Sequence, residues 1–282
     1  MSDKLAVLPQ YLLPKLALTS LAGKAASWQG GALTTRMIRR FIQRYGVNMA
    51  EAANPDPASY PTFNEFFTRA LKAGARPIAN ADYVSPVDGA ISQLGPIAGD
   101  QIFQAKGHAY STTALLGGGA ARARLYESGH FATLYLSPRD YHRIHMPCAG
   151  RLVRMVHVPG ELFSVNPVTA RGVPGLFARN ERVVCHFEAD FGPFVLVLVG
   201  ATIVGSMATV WHGVVNPPRP GALRAWEYSG ADAIWLEKGA EMGRFLLGST
   251  VVLLFPADTI VLNPAWQAAG PIRMGEAMGM RA

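Results

Sequence analysis

The chain has 282 residues, half of them apolar, and a formal net charge of +7, which gives it ample material for a core and excludes a predominantly disordered polymer. No uncharged apolar run reaches the ~18 residues that a membrane-spanning helix requires, the longest, Phe194 to Val204, being interrupted by Gly200. Cys148 and Cys185 make neither a disulfide framework nor a metal-binding spacing, and they fit a reducing cytoplasm.

The charge is unevenly spread. Residues 1–50 hold Lys4, Lys15, Lys24, Arg36, Arg39, Arg40 and Arg44 against the single acid Asp3. Such an excess attracts an anionic surface, either nucleic acid or acidic lipid head groups. Pro9 and Pro14 break the first apolar stretch, which argues against a secretory signal and predicts short helical pieces from Leu5 to Leu21. From Thr34 to Tyr45, Met37, Ile38, Phe41, Ile42 and Tyr45 fall on one helical face with arginines around the other. Thr34 or Thr35 can cap this helix and Gly46 can end it. It reads as a basic amphipathic helix on an anionic membrane, or as a surface helix packed on its own domain. Nucleic acid is disfavoured, because no zinc-finger spacing or glycine-aromatic module accompanies the charge.

After Asn54-Pro55-Asp56-Pro57, Thr62-Phe63-Asn64-Glu65 reads as a capping box opening a helix through Leu71, with Phe63, Phe66 and Phe67 as its buried face. Beyond Pro77 the pattern turns to strands: Ile91 to Leu94, Phe131 to Leu136, Arg151 to Val158, Arg182 to Phe187, Phe194 to Val199 and Val251 to Phe255. Asp190-Phe191-Gly192-Pro193 predicts a hairpin, and Tyr110 to Leu116 a short helix. The expected fold is α+β: a basic helical part over residues 1–75, then a β-rich, mainly antiparallel catalytic domain over residues 76–282.

Three polar clusters in the β-rich part invite chemistry. Asp88 sits in Ser85-Pro86-Val87-Asp88-Gly89, where an aspartate ordinarily caps its own turn. His142 and His145 lie in Ser137-Pro138-Arg139-Asp140-Tyr141-His142-Arg143-Ile144-His145-Met146-Pro147, just after a predicted strand, where loops carry function; two histidines alone are weak support for zinc. Ser249 lies in Leu247-Gly248-Ser249-Thr250-Val251, at the head of a buried run, where a hydroxyl can simply pair with backbone at a bulge. Together the clusters supply an aspartate, a histidine and a serine, a set able to activate a hydroxyl. A hydrolase elbow of the Gly-x-Ser-x-Gly form is disfavoured, since only the serine matches.

These blocks resemble the bacterial, pyruvoyl-dependent phosphatidylserine decarboxylases. The likeness extends from Phe63-Asn64-Glu65-Phe66-Phe67-Thr68-Arg69 through the Asp88 and His142–His145 segments, Pro159 to Asn166 and Leu176 to Arg182, to Gly243-Arg244-Phe245-Leu246-Leu247-Gly248-Ser249-Thr250. It implies a first act on the chain itself: Asp88 and His145 activate Ser249, whose Oγ attacks the Gly248 carbonyl. The chain then ends as residues 1–248 and a 34-residue piece, 249–282, headed by a pyruvoyl group. The cofactor implied is that group alone, with no metal and no pyridoxal phosphate. The ketone forms a Schiff base with phosphatidylserine, carbon dioxide leaves, and a proton returned to carbon gives phosphatidylethanolamine. His142 is the favoured proton donor, with His145 the other candidate. Arg139 and Arg143 either hold the substrate's anionic groups or pair with Asp140. The resemblance also implies a homodimer, and with the charge map it places the protein peripherally on the cytoplasmic face of a bacterial cell membrane. A serine acylhydrolase acting on lipids, or a non-catalytic lipid-binding protein, would leave the chain intact.

Overall fold

The computed structural model describes residues 3–105, 107–203, 206–246 and 250–282. At its centre is the strand Thr250–Phe255, whose six residues are all buried. It pairs antiparallel with His130–Tyr135 on one side and with Gly192–Val199 on the other. Val251, Leu253 and Phe255 enter one apolar cluster, while Val252 and Leu254 enter a second on the opposite face. Both faces of this strand are covered, so its sequence is a continuous apolar run rather than an alternating one. Each such side chain contributes roughly 1.5–3 kcal/mol on burial.

Around it runs a nine-stranded sheet in the order Arg224–Glu227, Gly150–Val158, Arg182–Ala189, Gly192–Val199, Thr250–Phe255, His130–Tyr135, Gly89–Pro96 and Pro271–Ile272, with Ile234–Leu236 also paired to Gly150–Val158. All of its pairings are antiparallel. The predicted hairpin joins Arg182–Ala189 to Gly192–Val199. A four-stranded sheet holds Gly213–Asn216, Met207–Thr209, Glu241–Phe245 and Arg143–His145 in that order. The segment expected as a helix from Tyr110 to Leu116 is divided between the strand His108–Ser111 and a turn of helix at Thr112–Leu115, which the Ser111 side chain caps.

The N-terminal part is helical: α1 (Asp3–Val7), α2 (Pro9–Leu12), α3 (Lys15–Ala26), α4 (Ala32–Tyr45) and α5 (Phe63–Phe67). No single helix among the described residues is long and apolar enough to cross a membrane; Leu5–Leu12 and Lys15–Ala26 pass that test only as a pair bent by 78°. Two helical expectations are corrected. α4 starts at Ala32 behind Gly31 rather than from a threonine cap, because the Thr34 hydroxyl accepts from Gly30 N–H instead. α5 opens on the predicted capping box, Thr62 Oγ1 accepting from Glu65 N–H at 3.1 Å. It nevertheless ends at Phe67, since Ala53 N–H donates to Ala70 and Lys72 N–H to Glu51, drawing that segment into extended pairing.

α4 does not present its whole apolar face outward. Ile38 is buried with Phe63, Phe66 and Phe67, and Phe41 and Ile42 pack on the same cluster, so the helix docks on its own chain. Exposed apolar side chains are most numerous on α1–α3, where Leu12 is 85% and Leu21 64% exposed, and Leu33, Met37 and Tyr45 of α4 are exposed as well.

Candidate active site

The strand Arg143–His145 pairs at the edge of the four-stranded sheet with Glu241–Phe245, and the next strand in the chain, Thr250–Phe255, lies inside the large sheet. In sequence, residues 246–249 separate Glu241–Phe245 from Thr250–Phe255. Leu246 N–H donates to Ser206, and Thr250 already pairs with Tyr135 and Val199. Gly248 and Ser249 lie outside the described residues; both of their flanks are held by backbone hydrogen bonds.

His142 stands at the near flank, its carbonyl accepting from Phe245 N–H at 3.1 Å. Its side chain is fully buried against Phe67, with ring centroids 4.0 Å apart. Nδ1 lies 2.8 Å from the Asp140 carbonyl. A carbonyl only accepts, so Nδ1 carries the proton and Nε2 a lone pair. That Nε2 is buried with no hydrogen-bond partner among the described residues. Burial pushes the imidazole pKa down to about 3, with the Arg69 charge adding in the same direction, and the ring is neutral at physiological pH.

His145 is held at both nitrogens. Nδ1 donates to the Gly239 carbonyl at 2.8 Å, leaving Nε2 to accept from the Tyr141 hydroxyl at 3.0 Å. Burial lowers its pKa, opposed in part by the hydrogen bond to the Gly239 carbonyl and by the carboxylates Glu241 and Asp88. The Tyr141 phenol is pushed up to about 12, chiefly by burial, and remains a donor. Asp88 reaches this region through the backbone, where His145 N–H donates to Pro86 at 2.9 Å. Its carboxylate is gripped by Arg76, with Nη2 at 2.6 Å from Oδ2 and Nε at 2.9 Å from Oδ1, and accepts from Met274 N–H at 2.8 Å. Among the described residues Asp88 and His145 share no hydrogen bond; the aspartate acts on the histidine through space.

The two arginines left open by the sequence separate. Arg143 is satisfied by Glu241 at 2.9 Å and the Thr68 carbonyl at 2.8 Å. Arg139 is 68% exposed at its side chain, 3.8 Å from Asp140. It borders two adjoining cavities. One, of about 660 Å³, is lined by Ile91, Tyr135, Val165 and Pro167 with Arg139 and Arg171. The other, of about 300 Å³, is polar and holds Asp88, Arg69, Arg76 and Tyr141. Gly89, Arg139, Asp140 and Pro271 belong to both walls. An apolar cleft opening on a charged chamber suits an amphiphile with an anionic head.

Sequence reasoning missed Tyr141, Arg76 and Arg69 as members of this site. Tyr141 lay inside a quoted motif, yet its contact with His145 depends on an irregular turn. Arg69 is 4% exposed, with Nε and Nη1 unpartnered among the described residues. In the sequence it closed the block Phe63 to Arg69, with nothing local to show that it would be buried beside the site.

Comparison with known proteins agrees with this geometry. The family model described as phosphatidylserine decarboxylase matches residues 63–280, and a second, described as PSD, matches residues 5–46. The chain is 71% identical over 282 residues to a phosphatidylserine decarboxylase proenzyme of Dechloromonas aromatica (strain RCB), covering 100% of both. It is 70% identical to the protein of that name from Acidovorax ebreus (strain TPSY), covering 100% of this chain and 99% of the relative. With full-length identity at that level joined to an apolar cleft, a charged chamber and buried histidines beside the strand Glu241–Phe245, the chain belongs to the phosphatidylserine decarboxylase family and is a carboxy-lyase of phospholipid metabolism.

Proposed function

We propose that the chain is a precursor that cuts itself between Gly248 and Ser249, carries a pyruvoyl group made from Ser249, and converts phosphatidylserine to phosphatidylethanolamine at the cytoplasmic face of a bacterial membrane. The observation that carries this reading is the buried Nε2 lone pair of His142, unpartnered among the described residues, on the residue whose carbonyl accepts from Phe245 N–H. The relatives' name, proenzyme, supports processing.

In the cut, His145 Nε2 exchanges the Tyr141 hydroxyl for that of Ser249 and takes its proton. The fixed charge of Asp88 favours the imidazolium that results. Ser249 Oγ bonds to the Gly248 carbonyl carbon, the peptide C–N bond breaks, and the proton passes to the freed nitrogen. Loss of the Ser249 α-proton then expels Gly248 as a carboxylate. Water replaces the nitrogen, which leaves as ammonia, and a ketone remains.

That ketone supplies the electron sink for the bonding pair released with carbon dioxide. The protein's own groups do the rest. The 660 Å³ cleft takes the apolar part of the lipid, and Arg139 lies at the shared wall to meet an anionic head group. His142 starts neutral; an entering anion favours its charged form, after which Nε2 can return a proton to the substrate carbon. Exposed leucines of α1–α3, with the basic excess around them, bring the protein to the lipid surface.

Intact-mass spectrometry tests the reading. The purified wild-type protein should give two pieces, the smaller spanning residues 249–282 with a ketone at its head, and Ser249→Ala should stay whole. A wild-type chain that stays whole and decarboxylates nothing overturns it.

A further inference from the structure

On the sheet face carrying Val156 and Val184, away from the chemistry above, a cavity of about 120 Å³ lies between the loop Leu116–Gly119 and the sheet. It shares no lining residue with the two cavities of the active site. Arg154 and His186, cross-strand partners on neighbouring strands, form part of its floor. Arg122 stands at its rim, and Leu223 closes another side.

Three features of this cavity go together. The roof is bare: Gly117, Gly118 and Gly119 have φ of 81°, 101° and 82°, conformations that disfavour other residues. Nothing lies within 4 Å of where a Cβ would stand on Gly118 or Gly119. The charge is one-sided: Arg154 is paired to the half-exposed Glu227, while Arg122 makes no ion pair among the described residues. Finally, His186 is 7% exposed, and no hydrogen bond to its ring is found among the described residues. An imidazole that lines the cavity and has no hydrogen-bond partner among the described residues, beside two guanidiniums, leaves donors facing a positive space.

We propose that this cavity binds a phosphate-type oxyanion, as free phosphate or as the head group of an acidic phospholipid, through Arg122, Arg154 and His186. An anion there satisfies the His186 N–H and offsets the mutual repulsion of the two guanidiniums. Arg122 supplies a charge with no ion-pair partner among the described residues, so its loss should weaken binding most cleanly. The assignment is independent of the catalytic reading, because none of these residues lines either cavity of the candidate active site.

The test titrates the full-length processed protein with inorganic phosphate at low salt, following the side-chain nitrogen resonances of His186 by NMR and binding by calorimetry. Saturable movement of the His186 resonances is expected in the wild type. Arg122→Ala should weaken that binding by about tenfold or more, the scale of one charge-assisted hydrogen bond, and Arg122→Glu should abolish it. Both variants should decarboxylate a short-chain substrate as the wild type does. A parallel arm uses phosphatidylcholine vesicles with and without phosphatidic acid. Movement of His186 with acidic vesicles alone assigns the site to a lipid head group, and movement with inorganic phosphate assigns it to the soluble ion. His186 resonances unmoved by either probe, or phosphate affinity equal in wild type and Arg122→Glu, would overturn the proposal.

Discussion

Replacing His142 by Gln should remove about 2 kcal/mol of the stability that the protein loses on acidification to about pH 5. The imidazole is neutral in the fold, with its pKa pushed down to about 3 by burial, whereas in an unfolded chain it titrates near ~6.5. Between those values the unfolded chain binds the extra proton. The stability from keeping His142 neutral is therefore fully present above ~6.5 and is lost as pH falls toward 3. At about pH 5 the unfolded chain is favoured by RT ln(1 + 10^1.5), about 2 kcal/mol. The assay is urea unfolding of the uncut Ser249→Ala chain, with and without His142→Gln, at about pH 7.5 and about pH 5; a single chain avoids dissociation of two pieces. His186, pushed down to about 4 by burial and by Arg122 and Arg154, contributes a similar loss in both proteins. His145, also lowered by burial, adds to that common loss, so the acid limb should shrink by about 2 kcal/mol on substitution and not be erased. An equal loss of stability in both chains would refute a neutral, desolvated His142.

Other consequences follow from the same contacts. Arg76→Met leaves the Asp88 carboxylate buried without its guanidinium, and should cost about 3–5 kcal/mol in urea unfolding; adding Asp88→Asn should recover much of it, and no recovery would mean that Arg76 acts by packing alone. Tyr141→Phe removes one hydrogen bond from His145 Nε2, worth about 1 kcal/mol of stability. It should speed rather than slow self-cutting, measured as fragment appearance on gels, because it frees the lone pair. His142→Gln should still be cut, yet turn over substrate about 100- to 10,000-fold more slowly, the range of general acid–base catalysis. Leu12→Ser with Leu21→Ser should lower affinity for acidic vesicles by at least about 100-fold, since each buried leucine contributes roughly 1.5–3 kcal/mol, with turnover of a short-chain soluble substrate unchanged. Point substitutions are preferable to deleting the N-terminal helices, which are tied to the catalytic part by Asp3–Arg171 and by the Ile203 N–H to Thr19 bond.

How far the sequence could be read depended on the range of the forces involved. The central strand announced itself at Val251–Phe255 because burial on both faces leaves no polar alternation to misread. The Thr62–Glu65 box was legible because its hydrogen bond is local. The early end of α5 was not, because it is imposed by residues 51–53, which the helical pattern cannot register. For the same reason the face of α4 carried two meanings in the sequence, and only Phe63, Phe66 and Phe67 decide that much of it turns inward. Asp88, His142 and His145 were singled out from their motifs. Their partners Arg76, Tyr141 and Gly239 were not, since each contact spans an irregular segment or a large separation along the chain.

Residues 250–282 are woven into three parts of the fold. Thr250–Phe255 is interior to the large sheet, Val261–Leu262 and Ala277–Met280 build a small sheet with Tyr83–Val84, and Pro271–Ile272 edges the large sheet beside Gly89–Pro96. A piece threaded in this way has no docked pose that it could reach from outside, because its place is formed only as the surrounding strands close over it. Scission at 248 would therefore be a one-way event in the life of the molecule: the instructions for assembly would exist only while the chain was continuous. Denatured processed protein should then fail to regain its structure, whereas denatured Ser249→Ala chain should refold, and the finished enzyme would endure by the slowness of its unfolding rather than by an equilibrium it could re-enter.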